Sequence, residues 1–244
     1  MTDAPKKMQG VIGLLKATIN IYKNNFRFYL GYAAWLLVPG VIVLLLSTVV
    51  GGETINIIDS IFNSLVYIAL AMWLTIIFTK ATAEFAQNKK VQNRKLNQES
   101  WSLIIPVFLV SIFIGLITLG GYILLIVPGV IFSVWFAFSV TIFILEKSGI
   151  AESLGLSKTL VAGRFWPTLW RVLAGGVVVG VSYIILIMLF VGLYSAISGV
   201  DLGLLTAATP VYAQNAISRI IEVFIVPIAV VYQIMLYLEL KKTR

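Results

Sequence analysis

Long apolar stretches separated by short charged segments dominate the hydrophobic pattern of this chain. Six of them come close to the roughly 20 apolar residues that a helix needs to cross a bilayer. They cover about residues 28–50, 57–79, 103–119, 122–145, 172–194 and 220–240. The pattern therefore predicts an all-α polytopic integral membrane protein, in which residues 1–244 form a single membrane domain with six transmembrane helices.

Two shorter segments, about residues 7–24 and 148–164, are amphipathic at helical spacing. The apolar face of the first consists of Met8, Val11, Ile12, Leu15, Ile19 and Tyr22. That of the second consists of Ile150, Leu154, Leu160 and Val161, with Ser153, Ser157 and Lys158 turned away. We predict two helices in the membrane interface. For the first, an ordinary surface helix packed on the same protein is an equal alternative.

Glycine and proline mark the expected turns and bends. Gly51 to Asp59 predict a polar loop, and Gly120 with Gly121 predict a tight turn. The sequence LVPGVI at residues 37–42 returns as IVPGVI 89 residues later. Pro128 and Gly129 in the second copy indicate either a discontinuous helix that lines a site or a bend near the outer interface.

The basic residues predict the orientation. Seventeen of the 18 Lys and Arg residues lie in the N-terminal segment, the two long linkers and the C-terminal tail. Six spans place all four of these regions on one side of the membrane. Because basic loops stay in the cytoplasm, both termini are predicted to be cytoplasmic, and the protein is assigned to the cell (inner) membrane.

Composition supports this class and excludes others. Hydrophobic residues make up 60% of the chain and charged residues only 11%, which excludes a soluble enzyme. The absence of Cys and His excludes disulfides, thiolate and imidazole catalysis, and Cys or His metal sites. No cofactor is predicted. The net charge of +8 favours anionic membrane lipids as partners rather than nucleic acid.

Three polar residues near or within the last span are candidates for function. Arg219 and Glu222 are three residues apart, which places them on one helix face and lets them pair. They either form a site for a charged headgroup or ion, or lie at the outer interface as a structural pair. Gln233 is deeper, and we expect its amide to bond to another helix, unless it lines a pore.

Two carboxylates at span ends, Glu146 and Glu239, could together hold a divalent cation, but their neighbouring lysines favour interfacial ion pairs. Gly176 and Gly180 have the small-xxx-small spacing that permits close helix approach. That spacing fits an internal seam or a homo-oligomer contact.

Residues 124–165 resemble a known family. Their motifs are Ile126 to Ile131, Phe136, Phe138, Leu145-Glu146, Ala151 to Ser157 and Gly163-Arg164-Phe165-Trp166. They are similar to the glycerophosphoryl diester phosphodiesterase membrane-domain family and to related six-helix membrane proteins. The resemblance implies a six-helix membrane fold. It implies no reaction here, because a fused soluble domain performs the hydrolysis and this chain has no His for such a site.

The expected function is a non-enzymatic membrane module that organises lipids or anchors a membrane or cytoplasmic protein through its basic face. The alternative is a carrier or channel for a lipid-like or small amphiphilic solute.

Overall fold

A computed structural model describes residues 8–50, 52–198 and 211–243 of the chain. These residues form helices and contain no strand. Six segments among them are long and apolar enough to cross a membrane. They are Phe26–Leu46, Leu65–Phe85, Asn93–Leu124, Ile126–Glu146, Phe165–Ile197 and Ser218–Lys242. The predicted all-α polytopic fold is confirmed, and the chain is a multi-pass membrane protein.

The described helices are longer than the predicted spans in most cases. In chain order they are α1 (Val11–Asn24), α2 (Phe26–Ala33), α3 (Leu37–Leu46), α4 (Gly52–Phe85), α5 (Asn93–Leu124), α6 (Ile126–Trp135), α7 (Ser139–Glu146), α8 (Ile150–Val161), α9 (Phe165–Ser198) and α10 (Val211–Lys242). Helix α4 has 34 residues. At 1.5 Å per residue that is about 51 Å, which exceeds the roughly 30 Å hydrocarbon core.

Two boundaries predicted around the first hairpin are wrong. The first span was expected to reach Val50, but α3 ends at Leu46 and a turn follows. The polar loop predicted between Gly51 and Asp59 is helical from Gly52 onward. Polar residues such as Glu53 stand in the first turn of α4, where a negative charge is favourable beside the exposed N–H groups. The sequence also predicts a loop of about twenty residues from Ala196 to Asn215, which lies largely outside the described residues.

The tight turn predicted at Gly120 and Gly121 is also helical. Helix α5 continues to Leu124, and the chain turns at the extended residue Leu125. A Cβ on Gly121 would lie 2.7 Å from Cδ2 of Phe132 and 3.0 Å from Cα of Gly129. This glycine therefore serves the close approach of α5 and α6 rather than a turn.

Pro128 and Gly129 open α6 and do not break it. Pro128 is the third residue of that helix, in the first turn, where backbone N–H groups have no helical acceptor. Pro39, in the first copy of the repeat, is likewise the third residue of α3. The settings of the two copies differ, because α6 begins after the extended residue Leu125, whereas α3 follows directly from a 3₁₀ turn at Ala34–Leu36 within one membrane segment.

The chain divides into two compact units, each made of separate segments. The first unit is Met1–Asn24, Thr75–Gly176 and Ala229–Arg244, and the second is Asn25–Leu74 and Val177–Ile228. Sixteen of the 18 Lys and Arg residues belong to the first unit, as do six of the ten Asp and Glu residues. The positive charge is therefore concentrated in the first unit.

Helix α1 packs into the core of the first unit. Leu14 joins a buried cluster formed with Val134, Phe138, Ile142, Leu160, Val161, Tyr232, Leu236, Tyr237 and Leu240. The buried side of α1 differs from the predicted apolar face, because Thr18 is fully buried whereas Ile12 is 71% exposed. The Thr18 hydroxyl can be buried because it donates to the Leu14 carbonyl 2.8 Å away. This packing favours the alternative of a helix held by the same protein; its place in a membrane interface stays a prediction.

Helix α8 is rotated relative to the prediction. Leu160 and Val161 are buried as expected, but Ser153 and Ser157 are also fully buried rather than turned away. Ser157 faces the junction between α6 and α7, where backbone groups need hydrogen-bond partners. The need to satisfy these backbone groups determines which face of α8 is buried, and a hydrophobicity pattern does not show it.

In the second unit, aromatic side chains provide the packing around Trp73. The rings of Tyr32 and Trp35 both stand edge-on to it, with centroids 5.8 and 6.3 Å away. Tyr29, Ala33 and Leu36 are fully buried in the same stretch.

Candidate functional site

A polar pocket of about 460 Å³ lies in the first unit. It is formed by the end of α4, the following loop, the start of α5 and the end of α7. Its charged lining residues are Lys80, Lys89, Lys90, Lys95, Lys147, Glu84 and Glu99. We call this site the lysine pocket. Its volume is within the range of small-molecule sites in proteins.

Backbone geometry at two helix ends brings these lysines together. Helix α4 closes with a Schellman motif, in which the N–H of Lys89 donates to the Glu84 carbonyl and Asn88 adopts the left-handed conformation at φ 55°. Lys147, directly after α7, is also left-handed, at φ 54°. Both helices end beside the pocket, and the lysines at these ends line it.

The pocket carries a net charge of +3 from five lysines and two glutamates. The side chain of Lys80 is only 12% exposed, and its Nζ donates to Oε2 of Glu99 over 2.7 Å. Lys89, Lys90, Lys95 and Lys147 are exposed and form no ion pair with any residue that the structure describes. Lys95 and Lys147 also attract the Glu99 carboxylate at longer range. Their ammonium groups and those of Lys89 and Lys90 are nevertheless exposed and can bind an anion.

The fourth membrane segment is interrupted between α6 and α7, at residues 136–138. Two side chains from other helices complete its hydrogen bonds. The Ser157 hydroxyl donates to the Trp135 carbonyl over 2.6 Å and accepts from the Phe138 N–H at 3.2 Å. Gln233 Nε2 donates to the Ala137 carbonyl over 2.7 Å. Gln233 therefore has the helix-to-helix bond that was expected of it, at a break that the sequence did not locate.

The two carboxylates considered as a cation site are engaged separately. Glu146 Oε1 accepts from the Tyr237 hydroxyl at 2.5 Å and from Lys241 Nζ at 2.8 Å. Glu239 Oε1 accepts from the backbone N–H of Gln9 at 2.9 Å. The described residues contain no group of three His, Cys, Asp or Glu side chains that could hold a metal ion. Glu146 thus forms an ion pair, but with Lys241 rather than with its sequence neighbour Lys147. For Glu239 the described contact is the backbone N–H of Gln9 rather than a neighbouring lysine.

Arg219 and Glu222 pair in the second unit, and Tyr67 joins them. Arg219 Nη1 donates to Glu222 Oε2 over 2.6 Å, and the Tyr67 hydroxyl donates to the same oxygen over 2.8 Å. The guanidinium carbon lies 3.5 Å from the centre of the Tyr67 ring. The carboxylate and guanidinium thus neutralise each other, which is the arrangement of a structural pair.

Two arginines that sequence reasoning did not select join distant parts of the first unit. After Gly163, which is left-handed at φ 77°, Arg164 donates to the side-chain oxygen and carbonyl of Thr243 at the end of α10. Arg171 donates twice to the Gln9 carbonyl, at 2.8 and 3.0 Å. Cations are favourable at the carbonyl end of a helix, so Arg164 also caps α10.

The remaining glycine motif has different roles at neighbouring positions. A Cβ on Gly175 would lie 2.1 Å from the Tyr232 ring, so this glycine is required for helix packing. A Cβ on Gly176 or Gly180 would meet no described atom within 4 Å. Gly176 and Gly180 therefore form no close helix contact with the described residues. A contact with a second copy of the chain stays a prediction.

Comparison with protein-family models, curated proteins and solved structures finds no match for this chain.

Proposed function

We propose that the protein is a non-enzymatic integral membrane module that binds anionic phosphate headgroups in the lysine pocket and thereby organises lipids or anchors a partner. The observation that carries the proposal is one pocket with four exposed lysines that form no ion pair within the described part of the chain. Each lysine near a membrane surface contributes about 1 kcal/mol of attraction to anionic lipid. The module would be non-enzymatic because its few carboxylates are paired or scattered and the chain has no His or Cys.

The orientation belongs to the same proposal. With six spans and the basic regions in the cytoplasm, the lysine pocket faces the inner leaflet, whose anionic lipids give that surface a negative potential. Both termini are then cytoplasmic. This supports a ligand from the inner leaflet over a solute from outside.

Native mass spectrometry from nanodiscs of phosphatidylglycerol and phosphatidylcholine tests the proposal. We expect a discrete phosphatidylglycerol adduct on the unaltered protein. The triple variant Lys89→Gln, Lys90→Gln, Lys147→Gln should lower its enrichment about a hundredfold, because three lysines at about 1 kcal/mol each amount to about 3 kcal/mol. The triple variant Lys16→Gln, Lys23→Gln, Lys242→Gln removes the same charge elsewhere and should retain the adduct. Equal losses in both variants, or no preference for the anionic lipid, would refute the pocket.

The carrier or channel alternative is supported by the interrupted fourth segment, since transporters bind solutes at discontinuous helices. Its support is weaker because the Ala137 carbonyl at the break is bonded to Gln233, and Arg219 is bonded to Glu222. Flux of an amphiphile into proteoliposomes that is lost in Gln233→Ala would favour the carrier over the module.

A further inference from the structure

A second cavity of the first unit differs in character from the lysine pocket. It is a groove of about 470 Å³ between α6, α8 and the start of α9. The side chains that define it are those of Ile131, Trp135, Lys158, Ala162, Phe165 and Trp166. We call it the tryptophan groove. It shares no lining residue with the lysine pocket.

The walls of the tryptophan groove are apolar, with one cation beside them. Lys158 Nζ lies 4.4 Å from the centre of the Trp135 ring, a cation–π contact. It forms no ion pair with the described part of the chain. Trp166 is 69% exposed at the other side of the groove. An apolar trough with one available ammonium group fits an amphiphile that has an apolar chain and an anionic head.

The surroundings and the size select the kind of amphiphile. Ile131 and Trp135 belong to one membrane-spanning segment, and Phe165 and Trp166 begin another. The groove therefore adjoins lipid rather than bulk water. Its volume suits a single small ligand, whereas a helix of a second protein is about 10 Å wide. We infer that the tryptophan groove holds one acyl chain of an anionic phospholipid, with the lipid phosphate on the Lys158 ammonium.

The inference does not rest on the lysine pocket, and variants separate the two sites. In native mass spectra from the mixed nanodiscs, Ala162→Phe fills the groove and should remove one retained lipid. Ala151→Phe, at an exposed position of α8 that does not line the groove, should remove none. The lysine-pocket triple variant should keep the groove lipid. If only the lysine-pocket triple variant loses a lipid, the groove proposal is refuted and the lysine pocket is supported. If only Ala162→Phe loses a lipid, the groove is supported and the lysine pocket is refuted.

Lys158→Gln provides a test that preserves the shape of the groove. It should keep the retained lipid but lower the preference for phosphatidylglycerol over phosphatidylcholine about fivefold, the effect expected of one lysine at a membrane surface. Brominated phosphatidylglycerol should quench Trp135 fluorescence less in Lys158→Gln than in the unaltered protein. The contribution of Trp135 is obtained by subtracting the quenching measured in Trp135→Phe. An unchanged preference, or a groove variant that converts a dimer to a monomer, would overturn the inference.

Discussion

At the residue scale, Ser157 shows how one buried hydroxyl stabilises a helix interruption. In a continuous helix the Trp135 carbonyl would accept from Ser139, but the Ser139 N–H donates to Phe136 instead. The Ala137 N–H likewise takes the Val134 carbonyl that would have served Phe138. Ser157 supplies both missing partners. Its burial next to the break is therefore a requirement of the backbone.

We expect Ser157→Ala to lower the free energy of unfolding by about 2 kcal/mol, because a buried polar group without a partner costs about 1–3 kcal/mol. Ser153→Ala is the matched control. Ser153 is equally buried on α8, but its hydroxyl donates to the Ile150 carbonyl, within the same helix. Its loss should cost less than about 1 kcal/mol. Reversible unfolding in detergent measures both, and equal effects would contradict this role of Ser157.

At the scale of elements, glycine decides how closely α5 and α6 approach. Gly121 faces Phe132 and the backbone of Gly129, and a Cβ on Gly129 would lie 2.3 Å from the Tyr122 ring. A Cβ on Gly120, one residue earlier, would meet no described atom within 4 Å. The same residue type in the same helix thus has a packing role at one position and none at the next.

Gly121→Ala and Gly120→Ala should therefore change stability in opposite directions. An added methyl in a packed contact costs about 1–3 kcal/mol, so Gly121→Ala should lower the unfolding temperature. Alanine is a better helix former than glycine by up to about 1 kcal/mol, so Gly120→Ala should raise it or leave it unchanged. Thermal unfolding in a single detergent compares the two. Stabilisation by both substitutions would show that this contact is loose.

At the scale of the molecule, charge is divided between the two units. The second unit contains only Arg27 and Arg219 among the Lys and Arg residues, whereas the first contains the lysine pocket and both linker clusters. The basic segments of the first unit are the ones predicted to stay in the cytoplasm, because loops rich in Lys and Arg are retained there. The same charge that orients the chain would then draw anionic lipid to the pocket.

The absence of Cys in the chain makes the topology directly testable with single-cysteine variants. A membrane-impermeant maleimide should label Glu53→Cys on intact cells. Gln87→Cys and Ala151→Cys, in the two basic linkers, should be labelled only after the membrane is permeabilised. Labelling of Gln87→Cys but not Ala151→Cys on intact cells would mean an odd number of spans between them, against the six-span topology.

The sequence by itself determined the class of the protein, the six spans and the charge distribution, because hydrophobicity and charge are summed residue by residue along the chain. It also anticipated that Gln233 would bond to another helix and that Glu146 would form an ion pair, since an amide or a carboxylate near a membrane must find a donor or acceptor, but it did not identify their partners. The tertiary structure decided which face of α8 is buried, that the fourth segment breaks after Trp135 rather than at Pro128, and which lysines share one pocket. These features depend on backbone groups and side chains that meet across long sequence distances, and no local pattern records which of them will meet.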